Sequence, residues 1–135
     1  MPIYGSATLM EYLDPHPTRA HALLLRLEID ARAKRDLGEA ADMAMARAQL
    51  EFVESKPGAE RRACRARIAE CRERCIVLQG AADLAWKIWD DAKDAMTKHG
   101  IRPGARSKRH ADAAITAVLS HERADVREAA VLALG

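Results

Sequence analysis

The sequence predicts an all-α protein built around a long antiparallel helical hairpin that packs like a coiled coil. Apolar residues make up 49% of the 135 residues but aromatic residues only 4%, and 28 alanines supply much of the apolar fraction. A chain rich in Ala, Leu, Arg and Glu and poor in β-branched and aromatic residues favours helices over strands. Two long runs of helical periodicity flank one tight turn, and segments of opposite charge lie on either side of it. These observations exclude a sandwich, a barrel or a collagen-like rod.

The first half of the chain contains a short helix followed by the first arm of the hairpin. Ser6 can cap a helix over residues 7–13, and the prolines of the segment 14–17 make that stretch an extended joint. Thr18 can cap a run that continues to residue 54. The turn Ser55-Lys56-Pro57-Gly58 then ends this first arm.

The second half contains the other arm, a hinge and a pair of shorter helices. The second arm runs over 59–99, where Gly100 and Pro103 mark its end. Residues 100–106 form a basic hinge, and helices are predicted over 107–119 and 126–134. Asp125 and Glu128 match a capping box for the last helix. All of this is expected to form one helical domain over residues 1–135.

A seam of small and apolar residues pairs the two arms. Residues of the second arm recur in steps of four and three, which is the heptad rhythm of a coiled coil: Cys64, Ile68, Cys71, Cys75, Leu78, Ala82, Ala85, Trp89, Ala92 and Met96. The first arm repeats this rhythm, with an interruption at Lys34 and Gly38: Ala20, Leu24, Leu27, Ala31, Ala41, Met45, Ala48 and Phe52. With the turn centred near residue 59, Gly38 and Gly80 fall about opposite each other. The larger residues far from the turn leave a wide end that the tail or the N-terminal helix can fill.

Charge supports the same pairing. Residues 36–55 carry five acidic residues and one basic residue, whereas residues 56–75 carry seven basic residues and three acidic ones. Antiparallel arms place these two segments side by side. Each exposed ion pair contributes only about 0–1 kcal/mol, so the pairs act mainly on register.

The C-terminal stretch resembles the end of a HEAT-type repeat. The match consists of Asp125, Val126, Arg127, Ala129, Ala130, Ala133, Leu134 and Gly135. The resemblance implies a helix pair of the kind that stacks in α-solenoids, which bind proteins. It covers roughly 20 of the 135 residues, and neither long arm repeats it. We therefore interpret this stretch as a single helical hairpin, because a solenoid needs about three repeats or more.

Two basic segments are candidates for contact with an anion or a nucleic acid. The arginines between residues 61 and 74 can lie along phosphates, and the favoured alternative is pairing with the acidic first arm together with ordinary solvated helix faces. The basic loop has no neighbouring acid, and its candidate contacts are Lys98, Arg102, Arg106, Lys108 and Arg109. A loop of this charge suits phosphate or an acidic protein surface, and a solvated hinge is the alternative.

The sequence offers no metal, cofactor or catalytic constellation. Cys64 and Cys75 are about 16 Å apart along a helix, so the three cysteines cannot share one zinc ion, and at most Cys71 and Cys75 could share a metal. Small core residues are the expected role of all three, with reduced thiols in a cytoplasm. The chain has no Gly-rich phosphate loop, no nucleophile elbow and no His-Glu-x-x-His motif, so no enzyme activity is expected. No run of apolar residues is long enough for a membrane helix, and the N-terminus lacks a secretory pattern.

An apolar stripe beside the seam predicts a protein-binding surface. Its candidate contacts are Val77, Leu84, Trp86 and Ile88, with core filling as the alternative role of Trp86. The expected function is a non-enzymatic interaction module, such as an adaptor, an assembly factor or an inhibitor, with a homodimer left open. Two alternatives are a nucleic-acid-associated protein that uses the basic loop and the arginine-rich helix, and a small bacterial or phage inhibitor of a nucleic-acid-handling complex.

Overall fold

The computed structural model describes residues 19–99 and 108–135, with side chains from His110 onward in the second range. Its helices are α1 (Arg19–Glu54), α2 (Ala59–Thr97), α3 (Lys108–Leu119) and α4 (Ala124–Leu134). Helices account for 90% of the described residues, which contain no strand, and α1 packs against α2 as a hairpin. The predicted helix over 7–13, the joint 14–17 and the hinge 100–106 lie outside the described residues.

The fold class and the arms of the hairpin are confirmed, with small shifts at helix ends. The second arm ends at Thr97 instead of residue 99. The last helix begins at Ala124, so the predicted capping box at Asp125 is wrong by two residues. Arg123 holds the N-cap position and makes no side-chain cap hydrogen bond there. Asp125 instead lies in the first turn, where its carboxylate accepts the Val126 N–H at 2.8 Å.

The turn between α1 and α2 is held by a serine and a glycine. The Ser55 hydroxyl donates to the Phe52 carbonyl at 2.6 Å, and Arg61 Nη2 donates to the Ser55 carbonyl at 2.9 Å. Gly58 has a φ of 110°, a left-handed conformation that side chains with a Cβ avoid. The turn predicted from the sequence is therefore the turn of the structure.

The chain divides into two compact units. The turn unit comprises Ala31–Leu84, and the terminal unit comprises Met1–Asp30 with Ala85–Gly135. Every predicted seam position is buried or half-buried in its own unit.

In the turn unit, contacts between the arms fix the register. Glu51 pairs with Arg67, and Asp42 accepts a hydrogen bond from the Gln79 amide. Gly38 is buried, and a Cβ there would meet the Gln79 Cγ at 3.7 Å. Gly38 therefore faces residues 78–79, close to the predicted partner at 80. The arms approach closely without requiring a glycine at either position, because a Cβ at Gly38 would make ordinary contacts and a Cβ at the exposed Gly80 would meet no atom within 4 Å.

In the terminal unit, the tail helices complete a core with the ends of both arms. Members of this buried cluster are Leu23, Leu24 and Leu27 of α1, Ala92 and Met96 of α2, Ala114, Ile115 and Val118 of α3, and Val126 and Ala130 of α4. Burial of a large aliphatic side chain stabilises a fold by about 1.5–3 kcal/mol. Of the two expected occupants of the wide end, the tail packs there, and the N-terminal helix lies outside the described residues.

Polar contacts secure α4 to the rest of the terminal unit. Arg26 donates a hydrogen bond to the Ala133 carbonyl at the C-terminal end of α4. The positive charge of Arg26 also interacts favourably with the negative end of the helix dipole there. Arg123 bridges two carboxylates, Asp91 of α2 and Asp125 of α4. These bonds link the tail to both arms.

Candidate functional site

The turn unit carries an apolar face on one side of its seam. Glu51 and Arg67 each directly precede a seam residue, so their ion pair lies on the side of the seam that carries the apolar face. The bond between Asp42 and Gln79 joins positions on the other side. Leu37 directly precedes the seam residue Gly38 and therefore lies on the same side as Glu51 and Arg67.

The large members of the apolar face are exposed. Leu37 is 55% exposed, Val77 is 68% exposed and Leu84 is 45% exposed. Val77 and Leu84 are seven residues apart, which places them on one side of α2 about 10 Å from each other. Three exposed alanines of α1 share the helical repeat of Leu37 and extend the face: Ala33, Ala40 and Ala44. We call these six residues the apolar face.

The four predicted partner contacts divide between the two units. Val77 and Leu84 belong to the turn unit and are exposed. Trp86 and Ile88 belong to the terminal unit and are half-buried. Ile88 packs against the core cluster, and Trp86 meets Trp89 edge-on with ring centroids 5.6 Å apart.

Sequence reasoning missed Leu37. Its position directly before a seam residue is the signal that could have found it, but the interruption of the heptad rhythm at Lys34 and Gly38 obscured the count on the first arm. The structure restores that count, because α1 continues without a break through both residues.

Arginines occupy the opposite side of the turn unit. Arg62, Arg65 and Arg72 are exposed, and Arg65 also stacks over the Phe52 ring at 5.7 Å from its centroid. Arg61 stacks over the same ring at 5.5 Å. The basic arm is therefore partly used in structural contacts, while the outer guanidinium groups are accessible.

Of the predicted basic-loop contacts, only Lys98 has a described side chain. It is exposed in the turn after α2. Lys108 and Arg109 lie in the first turn of α3, and Arg102 and Arg106 lie outside the described residues.

A polar pocket of about 250 Å³ lies in the terminal unit. Its charged lining consists of Asp91, Asp94, Lys98, His99 and His121. Asp91 is already paired with Arg123, and His121 Nδ1 accepts the backbone N–H of Arg123 at 3.0 Å. The lining carries charges of both signs and so does not select one class of charged ligand.

Three groups have pKa values displaced by their surroundings, and one of them is Arg123, whose pKa is raised by its hydrogen bond with Asp125. The hydrogen bond from Arg123 holds the pKa of the Asp125 carboxyl below its ordinary value. Burial raises the pKa of the Cys75 thiol, and the negative charge of the Asp42 carboxylate raises it further. Cys64, Cys71 and Cys75 are all free thiols, and Cys71 is only half-buried.

The comparisons with known proteins add no relative. No family model, curated protein or solved structure matches the chain. Among the described helices, none combines the length and apolarity needed to cross a membrane.

Proposed function

We propose that the protein is a non-enzymatic interaction module that binds a partner protein through the apolar face of the turn unit. The observation that carries the proposal is the exposure of Leu37, Val77 and Leu84 on one side of a hairpin whose seam is already buried. Exposed apolar side chains grouped on one face are typical of interaction surfaces.

The geometry of the face favours a helical segment as the partner. Val77 and Leu84 repeat at seven residues, and Leu37 lies on the facing arm near their level, so two helices border the face. An amphipathic helix can lay its own apolar stripe against such a surface, with anchors at heptad spacing. A second copy of this chain is the alternative occupant.

The test compares two pairs of substitutions in the same unit. Val77→Arg with Leu84→Arg disrupts the apolar face, whereas Leu50→Arg with Val53→Arg alters equally exposed residues of α1 on its other sides. Each protein is immobilised and exposed to lysate of its native host, with and without nuclease. We expect the wild type and the control pair to retain the same protein, and the face pair to lose it.

Two further measurements make the outcome decisive. Circular dichroism melting shows whether each pair still folds, and we expect less than about 0.5 kcal/mol of change per exposed site. Sedimentation equilibrium of the purified wild type detects a second copy as the occupant. Retention of the partner by the face pair refutes the proposal.

The nucleic-acid alternative has its own support in the exposed arginines of α2 and in Lys98. It predicts binding that weakens steeply as salt rises, because each phosphate contact releases a counterion. Reversal of Arg102, Arg106, Lys108 and Arg109 to Glu should then abolish binding of a labelled oligonucleotide. If the partner captured by the apolar face is itself a nucleic-acid-handling complex, an inhibitor of that complex is the function to test next.

A further inference from the structure

Cys71 and Cys75 form a pair of thiols one helical turn apart in the turn unit. Both are free, with Cys75 buried and Cys71 half-buried. Side chains at this spacing have Cβ atoms about 5–6 Å apart, whereas a disulfide needs about 3.5–4.5 Å. The two cysteines therefore cannot close a disulfide with each other on an intact helix. A single ion between the sulfurs adds two bonds of about 2.3 Å, the length of zinc–thiolate bonds, and so can span the gap.

The facing arm brings a third sulfur to the same level. Two contacts between the arms set the register on either side of the thiol pair: Glu51 pairs with Arg67, and a Cβ on Gly38 would lie 3.7 Å from the Gln79 Cγ. Met45 follows Asp42 by three residues, occupies a predicted seam position and is half-buried. Because the arms are antiparallel, Met45, which lies about midway between Gly38 and Glu51, falls at a level between Cys71 and Cys75.

The donor set selects the ion. Thiolate and thioether sulfurs favour copper(I) over harder ions. A structural zinc site takes four ligands, and the described residues contain no group of three or more His, Cys, Asp or Glu that could hold a metal ion. Two thiolates on one copper(I) carry a net negative charge, and the three exposed residues between the cysteines, Arg72, Glu73 and Arg74, add one net positive charge.

We propose that Cys71 and Cys75 bind one copper(I) ion between their sulfurs, with Met45 as an additional thioether ligand. The copper ion replaces the two thiol protons, which pass to solvent, and it stays in the +1 state, so no electron is transferred. Asp42 keeps its hydrogen bond from the Gln79 amide. This site is independent of the apolar face and of any partner that binds there.

Copper transfer from a coloured copper(I) chelator tests the site, with Cys64 as the internal control. The reduced full-length protein is titrated without oxygen against the chelator complex. We expect the wild type and Cys64→Ser to take up one equivalent. Cys71→Ser and Cys75→Ser should each bind more than about 100-fold more weakly, since even the loss of an outer partner of a metal ligand costs about 10–100-fold. Met45→Leu should weaken binding about 10-fold.

X-ray absorption of the copper-loaded wild type tests the same site without any substitution. We expect two or three sulfur ligands and no nitrogen or oxygen ligand. The proposal is overturned if the wild type takes no copper from the chelator, if Cys64→Ser loses as much affinity as Cys71→Ser, or if the ligands are not sulfur. One copper per two chains also contradicts it, because that result indicates bridging between molecules.

Discussion

Replacement of Gly80 by alanine should stabilise the protein. Gly80 lies inside α2, is exposed, and leaves open space where a Cβ would be, with no atom within 4 Å. Glycine in a helix interior is about 0.8–1.0 kcal/mol less favourable than alanine. The entropy of unfolding is about 2.1 cal/mol/K per residue, so a gain of this size raises the Tm of a chain of this length by about 3–4 °C.

Two other glycines give the experiment its internal comparison. A Cβ at Gly38 would meet its nearest atoms at 3.7–3.9 Å, which is ordinary contact, so Gly38→Ala should also stabilise. Gly58 has a φ of +110°, so Gly58→Ala should destabilise the turn by about 1–2 kcal/mol.

Thermal and urea unfolding followed by circular dichroism at 222 nm measures all three variants against the wild type. The reasoning fails if Gly80→Ala lowers the Tm, since that result requires a neighbour packed against Gly80. It also fails if Gly58→Ala leaves the Tm unchanged, because the turn would then not use a left-handed residue.

Two further predictions concern the core and the pH dependence of stability. Met96→Ala should lower the free energy of unfolding by about 2–5 kcal/mol, because Met96 is fully buried in the terminal core. Leu37→Ala, at an exposed position, should lower it by less than about 0.5 kcal/mol. Urea unfolding measures both variants, and equal losses would contradict the assigned burial. The lowered pKa of the Asp125 carboxyl means that its bond with Arg123 stabilises the fold above the unfolded pKa of about 3.9 and is lost as the pH falls through the folded value. The Tm difference between the wild type and Asp125→Asn should therefore be largest near pH 7 and shrink as the pH falls below about 3.9, and a constant difference would refute the linkage.

Periodicity and charge were enough to predict the hairpin from the sequence. The seam needs only a repeat of small and apolar residues, and that repeat is visible in the chain without any knowledge of distant contacts. The turn was equally accessible, because Pro57 and Gly58 have narrow conformational preferences. The register of the two arms could be predicted from their nearly equal lengths. The ion pair between Glu51 and Arg67 joins the acidic segment of the first arm to the basic segment of the second, as the charge pattern predicts.

The parts that sequence reasoning missed depend on which surfaces other elements cover. Ile88 and Val77 belong to one apolar stripe in the sequence, yet Ile88 packs against the terminal core and Val77 is exposed. No local pattern separates them, because the difference arises from packing within each unit. The capping box predicted at Asp125 also depends on a distant contact. The Asp125 carboxylate pairs with Arg123, which in turn pairs with Asp91 of α2, and the sequence around Asp125 does not reveal that contact.

The affinity of the captured partner for three forms of the protein tests the central claim most directly. The purified partner is titrated against the wild type, the pair Val77→Arg with Leu84→Arg, and the control pair Leu50→Arg with Val53→Arg. Loss of a residue that anchors an interface costs about 2 kcal/mol or more, and each 1.4 kcal/mol is tenfold in Kd. The account predicts that the face pair binds at least about 100-fold more weakly while the control pair stays within about threefold of the wild type. Equal affinities for all three forms, or an equal loss in both pairs, would contradict it.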